Sequence, residues 1–222
     1  MDLARVRSDF DEIARLSDPH DEDTARYDAF LLALIPGNAK TVLDVGCGMG
    51  RLTAKLATNQ RKVVGIDLSP EMIARAREKV HDGLSFVCAD FLSHDLGSQT
   101  FDCVFTAAAL HHIPIESAFP RLLEMLAPKG RLILHDIRAD AGILDHLRSH
   151  FALGQVGFGR LLRTGSPHRP RAVRDAWERH CAGETYLTLT EARTLANRLM
   201  PGSRVYNHWL WRYTIVWDRA GP

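Results

Sequence analysis

The stretches VLDVGCGMGRLT (residues 42–53) and VVGIDLS (residues 63–69) decide the fold of this chain. The first is typical of a buried β-strand that runs into a glycine-rich turn and then into a helix. The second predicts another buried strand, which ends in the acidic residue Asp67. In parallel α/β folds, a carboxylate about 20 positions after the first glycine holds the hydroxyls of a ribose. The two stretches therefore indicate a cofactor that contains adenosine.

The glycine spacing narrows the choice of cofactor. Gly46, Gly48 and Gly50 form G-x-G-x-G, and Arg51 stands where a dinucleotide fingerprint has its third glycine. A pyrophosphate needs that tight turn and an open helix N-terminus. Asp44, two residues before the first glycine, would repel a pyrophosphate but would suit a cation. S-adenosylmethionine carries an ammonium and a sulfonium and no phosphate, so both departures favour this methyl donor over NAD.

Five blocks of the sequence resemble the class I S-adenosylmethionine-dependent methyltransferases, and are most similar to the small-molecule members of that family. In order along the chain they are LDVGCGMG, GIDLS, CADF, FDCVFTAAALHHI and LLEMLAPKGRLIL (residues 43–50, 65–69, 88–91, 101–113 and 122–134). The resemblance implies an α/β fold: a Rossmann-like, seven-stranded, mostly parallel sheet with helices on both faces and an antiparallel last strand. A helical lid insertion is expected before the last strands.

The pattern of strands and helices predicts one methyltransferase domain over residues 1–222. Strands are expected at about 41–45, 62–66, 84–88, 101–106 and 130–136, with helices at about 50–58, 70–80 and 116–127. Residues 1–40 are predicted to form N-terminal cap helices interrupted by an acidic loop around 18–21, and residues 41–137 the cofactor-binding core. Residues 138–184 are predicted to form the helical lid, and residues 185–222 a helix and strands that complete the sheet.

Composition excludes several functional classes. The chain has 222 residues and is 45% hydrophobic. Its net charge is +1, so the overall charge does not indicate nucleic acid or an anionic membrane as a partner. Residues 138–222 hold 13 arginines against seven acidic residues, which fits either an acidic substrate or a solvated helical surface. Four cysteines without C-x-x-C spacing argue against a metal site or disulfides. The N-terminus lacks a signal-peptide pattern and no apolar run reaches spanning length, which favours a cytoplasmic protein.

The resemblance assigns roles to residues at the carboxyl ends of the strands, where ligands of open α/β sheets bind. Positions matching Gly46 and Gly48 let the backbone approach the methionine portion, and Asp67 would accept from both ribose hydroxyls. Tyr27 is expected over the methionine end, or alternatively as one apolar position of an amphipathic helix. The remaining cofactor candidates are Asp44, Leu68 and Met72 (both against adenine), Asp90 (adenine amino group), Phe91 (adenine ring), Thr106 and Ala107.

Two histidines are candidates for catalysis. His111 and His112 follow the fourth strand, where the transferring methyl group is expected, so either could take a proton from an acceptor. The alternative for His112 is a hydrogen bond that orders the loop. His135 and Asp136 end the fifth strand and are expected to face the same crevice. Further substrate candidates lie on the predicted lid, where apolar and basic residues could hold an aromatic or acidic acceptor: Arg148, Phe151, Phe158 and Trp177.

The resemblance implies methyl transfer to an O or N atom of a small molecule, mainly by in-line positioning. S-adenosylhomocysteine would be the product, and the protein is expected to be a monomer or homodimer. Two alternatives stay open: a methyltransferase for RNA, protein or lipid, and a scaffold that binds the cofactor without catalysis. The sequence lacks an Asn/Asp-Pro-Pro-aromatic motif at the fourth strand and a separate RNA-binding domain, which argues against a macromolecular acceptor.

Overall fold

The computed structural model describes residues 2–17 and 26–221. The helices are α1 (Leu3–Leu16), α2 (Asp28–Leu34), α3 (Arg51–Leu56), α4 (Pro70–Arg77), α5 (Ile115–Met125), α6 (Ile143–Thr164), α7 (Arg171–Cys181) and α8 (Leu189–Leu199). The strands are β1 (Thr41–Val45), β2 (Lys62–Asp67), β3 (Leu84–Cys88), β4 (Phe101–Ala107), β5 (Leu126–Ile137), β6 (Arg204–Asn207) and β7 (Arg212–Asp218). The acidic loop predicted around residues 18–21 lies outside the described residues.

The strands form a seven-stranded sheet in the order β3-β2-β1-β4-β5-β7-β6. Strands β1 to β5 pair in parallel, whereas β7 is antiparallel to both β5 and β6. This arrangement confirms the predicted Rossmann-like, mostly parallel sheet with an antiparallel last strand. Since the strand order reverses between β1 and β4, the crevice at their carboxyl ends is where this type of fold binds ligands.

Helices cover both faces of the sheet, because successive side chains of a strand point to opposite faces. On one face, α5 and α8 pack through Leu122 and Ala196. On the other, α2, α3 and α4 pack through Leu31, Leu56 and Ile73. Strands buried on both faces explain the continuous apolar runs from which the sequence predicted a parallel sheet.

Helix α1 packs against α4 and α7. The Asp11 carboxylate accepts hydrogen bonds from the Ser69 hydroxyl and, at 3.2 Å, from the Glu71 backbone N–H at the start of α4. Arg179 of α7 pairs with Glu12 at 2.7 Å. These polar contacts fix α1 between α4 and the inserted helix α7.

Strand β5 begins earlier than the sequence predicted. The sequence predicts a helix to about residue 127 and a strand from about residue 130, but α5 ends at Met125 and β5 pairs from Leu126 opposite Phe101. The register then shifts between Phe101 and Cys103, so the extra residues are accommodated as an irregularity of the ladder.

Helices α6 and α7 are inserted between β5 and the last strands. Helix α6 is held by Trp211 and Trp209, whose indole N–H groups donate to Ser149 and Gln155 respectively. That these helices act as a lid, and the division of residues 1–222 into the four predicted segments, stay predictions. Across the described residues, every helix is too short or too polar to cross a bilayer.

Candidate active site

The glycine turn after β1 has the shape that a close-approaching ligand requires. Gly46, Gly48 and Gly50 all have positive φ, at 73°, 54° and 70°. A Cβ on Gly46 would lie 2.2 Å from the Cβ of Ala109, so no other residue fits there. A Cβ on Gly48 would meet only the Met72 sulfur at 4.0 Å, so one side of this backbone is open.

Asp67 is bonded to the same turn. Its Oδ2 accepts from the backbone N–H of Gly48 at 2.8 Å, and its Oδ1 accepts from that of Ser69 at 2.9 Å. Burial raises the pKa of Asp67, and its two backbone donors oppose that shift by stabilising the charge. Each carboxylate oxygen keeps further acceptor capacity, so the residue can also receive two hydroxyl donors.

Asp44 and Thr106 add polar groups at the ends of the neighbouring strands. Asp44 is buried and accepts from the Thr53 hydroxyl at 2.6 Å. Burial and the charge of Asp67 together raise its pKa to about 7, against the opposing effect of the Thr53 hydrogen bond. The Thr106 hydroxyl is buried without a hydrogen-bond partner among the described residues. Two carboxylates close enough for Asp67 to raise the pKa of Asp44 suit a ligand that brings positive charge.

His111 forms a pair with Asp136, at the ends of neighbouring strands. Its ring Nδ1 lies 2.6 Å from Oδ1 of Asp136, and its backbone N–H donates to Oδ2 at 3.0 Å. With Nδ1 donating to the carboxylate, Nε2 is the free, basic nitrogen. His111 lines a cavity of about 260 Å³, together with Arg5, Glu184 and Thr185.

His112 lies in a different environment from its neighbour. It is buried, with its ring 5.3 Å from that of Phe10 and 4.9 Å from that of His180. Its Nδ1 is 3.2 Å from a carboxylate oxygen of Glu184, but without hydrogen-bond geometry, and neither ring nitrogen has a hydrogen-bond partner among the described residues. Burial, and then the neighbouring histidines, lower its pKa to about 3, so the ring is neutral.

His111, His112 and Glu184 are the residues of the described chain that come closest to a metal site. Each offers one ligand atom, and the three atoms lie within 4.8 Å of one another. The sequence could not indicate this group, because Glu184 is more than 70 positions away and belongs to no motif. Asp136 orients His111 as in a proton-transfer pair, an arrangement that histidines bound to a metal share.

The comparisons with known proteins agree with this geometry. Residues 42–130 match the family model of a methyltransferase domain. An uncharacterized methyltransferase of Mycobacterium tuberculosis is 30% identical over 198 residues, which cover 86% of this chain and 93% of the relative. This chain is a class I S-adenosylmethionine-dependent methyltransferase. S-adenosylmethionine is therefore its methyl donor.

Two further likenesses come from a better-defined enzyme and from a solved structure. The trans-aconitate 2-methyltransferase of Escherichia coli is 42% identical over 108 residues, which are 46% of this methyltransferase and 41% of the relative. The structure of DhpI in complex with S-adenosylhomocysteine superposes with a TM-score of 0.64 at 22% identity, over 99% of this chain and 95% of that one. The second likeness supports the fold.

The other predicted cofactor residues of the methyltransferase lie at the crevice, in apolar clusters or in a turn. Leu68 is half-buried and Ala107 ends β4, so both lie at the crevice. Met72 is buried and packs with α1. Phe91 is part of the main core. Asp90 accepts from the Leu92 backbone N–H at 3.0 Å and from the Ser93 hydroxyl at 2.9 Å, which is turn chemistry, so its contact with adenine stays a prediction.

Tyr27 and His135 lie together near the carboxyl end of β5. The Tyr27 hydroxyl accepts from the Leu210 backbone N–H at 3.0 Å, and its ring lies 5.2 Å from that of His135. His135 is buried, its Nδ1 is 2.8 Å from the Thr214 hydroxyl, and burial lowers its pKa to about 3. His135 is thus enclosed under Tyr27 rather than open to an acceptor, unlike the expectation from sequence.

The structure does not bring the predicted lid residues into one pocket. Phe151 and Phe158 are 73% and 63% exposed on α6, which corrects the expectation that they line an apolar pocket. Arg148 is also exposed and lies 3.8 Å from Asp145. Of the four predicted residues, Trp177 lies nearest to the catalytic candidates: its ring is 5.9 Å from that of His180, which in turn contacts His112. An apolar stripe in a sequence does not say on which side of its helix the protein body lies.

A larger cavity, of about 540 Å³, lies away from these groups. Lys40, Lys62 and Gly83 line it, at the amino ends of the parallel strands. Ligands of open α/β sheets bind at the carboxyl ends, so the smaller cavity beside His111 is the better acceptor site.

Proposed function

We propose that this methyltransferase transfers a methyl group to an O or N atom of a small molecule bound in the cavity beside His111, with His111 as the general base. The pair formed by His111 and Asp136 is the observation that carries the proposal. It lies directly after β4, at the end of the sheet where the cofactor crevice is found.

The chemistry requires only a few groups from the protein. Bound S-adenosylmethionine supplies a methyl group on a sulfonium, which is already an activated leaving group, so alignment of the acceptor provides much of the acceleration. A hydroxyl or ammonium acceptor must also lose a proton. Nε2 of His111 would take it, while the Asp136 carboxylate holds Nδ1 and stabilises the imidazolium that forms.

The two histidines differ in what they can do. His111 borders the cavity and has an orienting carboxylate. The low pKa of the enclosed His112 makes it a weak base, so its role in this proposal is to pack against α1 and α7. Only His111 combines access with an orienting partner.

A small acceptor is favoured by the size of the cavity. Its volume of about 260 Å³ is below the roughly 300–1,000 Å³ of sites for drug-sized ligands. Its lining is mixed in charge, with Arg5 beside the carboxylates of Asp2 and Glu184, so the support for an acidic small molecule comes from the likeness to trans-aconitate 2-methyltransferase. This likeness covers less than half of either chain, so it bears on the acceptor class and not on a particular molecule.

For the cofactor itself, the proposal keeps the assignments made from the sequence. Asp67 would accept from the ribose hydroxyls, and the open backbone at Gly48 would admit the methionine portion. The buried carboxylate of Asp44 and the unpaired hydroxyl of Thr106 would face its charged and polar atoms. Asp90 with Phe91 would contact the adenine.

The test is transfer of a labelled methyl group from S-adenosylmethionine to a panel of carboxylates, phenols and amines. We expect product with at least one class, inhibition by S-adenosylhomocysteine, and no loss of activity with EDTA. Loss with EDTA and recovery with a divalent cation would refute the base and assign His111, His112 and Glu184 to a metal. Activity confined to carboxylates, which have no proton to lose, would also refute the base.

Turnover on RNA, protein or lipid and on no small molecule would refute the proposed acceptor class. Tight S-adenosylhomocysteine binding without transfer to any acceptor would favour the non-catalytic scaffold.

A further inference from the structure

Helix α6 carries an exposed apolar face. Of the eleven large apolar side chains that are exposed in the described residues, seven lie on this helix. Six of them form one stripe at helical spacing: Ile143, Leu147, Phe151, Phe158, Leu161 and Leu162. The opposite face is occupied, because Ala152 is buried and Ser149 accepts from the indole N–H of Trp211. The helix therefore turns its apolar stripe away from the protein body.

The spacing within the stripe is that of a helix–helix seam. Leu147, Phe151, Gly154, Phe158 and Leu161 follow one another at steps of four, three, four and three residues, the heptad spacing of paired helices. Gly154 lies between the two phenylalanines, and a Cβ there would meet nothing within 4 Å. The missing side chain lets a facing helix approach closely at this point.

The stripe is also self-complementary. Phe151 and Phe158, and likewise Leu147 and Leu162, lie symmetrically about the point between Gly154 and Gln155. An antiparallel copy of the helix would therefore place the two members of each pair opposite each other, as two-fold symmetry requires.

The size of the stripe matches what a dimer needs. Six large apolar side chains, each between 41% and 79% exposed, present on the order of 700 Å², against the ~800 Å² that each partner buries in a stable interface. A soluble monomer rarely leaves a patch of this size uncovered.

We propose that α6 is the dimerisation helix of this methyltransferase, which pairs through its apolar stripe with α6 of a second copy. A membrane surface fits the helix less well. Interfacial helices carry lysine and arginine on their polar face beside the apolar one. Here His146, His150 and Gln155 border the stripe, and Arg148 is the single arginine beside it.

Sedimentation equilibrium of the whole chain, at roughly 1 to 100 µM, tests the pairing. We expect a dimer for the wild type, and a monomer for Phe151→Glu and Phe158→Glu, with a dissociation constant raised at least 100-fold because two-fold symmetry introduces each charge twice. Leu153→Glu is the matched control: Leu153 is 60% exposed on the same helix but lies off the stripe, so this variant should stay dimeric.

Each variant should keep its helical circular dichroism and its affinity for S-adenosylhomocysteine, which shows that the fold survives. A wild type that is monomeric throughout this range would overturn the proposal. So would equal dissociation of the Leu153→Glu control. A monomeric wild type that binds vesicles containing phosphatidylglycerol, and loses that binding in Phe151→Glu, would assign the stripe to a membrane surface instead.

Discussion

Replacement of Asp67 by asparagine should weaken cofactor binding strongly, because this carboxylate has four acceptor tasks in the proposed complex. Two are visible in the structure, the backbone N–H groups of Gly48 and Ser69 at 2.8 and 2.9 Å. The two ribose hydroxyls are the others. Asparagine keeps the shape but loses the charge, and its NH₂ group cannot accept, so one backbone donor and one hydroxyl lose their partner.

Hydrogen bonds to a charged group contribute about 1.5–3 kcal/mol each, and neutral ones about half of that. The bonds to Gly48 and Ser69 are present with and without the cofactor, so their weakening largely cancels in the free energy of binding. The weakened bonds to the ribose hydroxyls do not cancel, and the net loss of binding free energy is about 2–4 kcal/mol. The dissociation constant for S-adenosylhomocysteine should therefore rise about 30- to 700-fold. Isothermal titration calorimetry of wild type and variant measures the ratio directly.

A matched control exists near the amino ends of the parallel strands, away from the proposed cofactor site. The Asp102 carboxylate likewise accepts from two backbone N–H groups, those of Lys40 and Thr41, at 2.7 and 3.0 Å. Asp102→Asn should lower the free energy of unfolding but leave the affinity for S-adenosylhomocysteine unchanged. A folded Asp67→Asn variant that binds within about threefold of wild type, or an equal loss of affinity in the control, would refute the assignment.

Three further changes have defined outcomes. Gly46→Ala should lower the free energy of unfolding by at least about 2 kcal/mol, measured by urea titration. The reason is that φ is +73° and the new Cβ would lie 2.2 Å from the Cβ of Ala109. The control Gly37→Ala, which has open space around it, should leave the free energy of unfolding nearly unchanged. Asp136→Asn should reduce kcat about 10²–10⁴-fold by releasing His111, with S-adenosylhomocysteine affinity retained; an unchanged kcat would contradict the pair. Burial raises the pKa of Asp44 to about 7, so the folded protein keeps a proton that the unfolded chain loses near its ordinary pKa of 3.8. The free energy of unfolding contributed by this residue should fall as pH rises from about 4 to about 7, and Asp44→Asn should remove that slope from denaturation curves; an identical slope would be inconsistent with a protonated Asp44.

The fold and the cofactor could be predicted from local sequence because both depend on local features. Continuous apolar runs such as that ending at Asp67 occur only where a strand is buried on both faces. The turn after β1 needs positive φ, which glycine provides without strain, so the G-x-G-x-G spacing reports the backbone conformation. The family comparison confirms S-adenosylmethionine as the methyl donor.

The candidate acceptor site was less predictable because it depends on tertiary contacts. His111 and Asp136 could each be placed at a strand end, but their pairing follows from the neighbouring positions of β4 and β5 in the sheet. Glu184 and Arg5 reach the same cavity from segments that lie on either side of the sheet motifs in the sequence. No periodicity or motif indicates that such distant residues meet.

The predicted lid shows a different limit. The helical spacing of the apolar residues on α6 was correctly interpreted as a helix, since periodicity is a local property. Whether the apolar stripe faces the protein body or solvent depends on tertiary contacts made by the other side of the helix, which the spacing does not reveal. Trp211 holds that opposite face through Ser149, and Ala152 is buried on it, so Phe151 and Phe158 turn outward.

The measurement that tests the central claim most directly is the pH dependence of the methyl-transfer rate for wild type and His111→Gln, under single-turnover conditions with an acceptor from the panel. The account predicts that the wild-type rate falls at acidic pH, as the imidazole becomes protonated, and that the variant is about 10²–10⁴-fold slower and lacks this limb. A variant that retains both the wild-type rate and the acidic limb would contradict the role of His111 as the base.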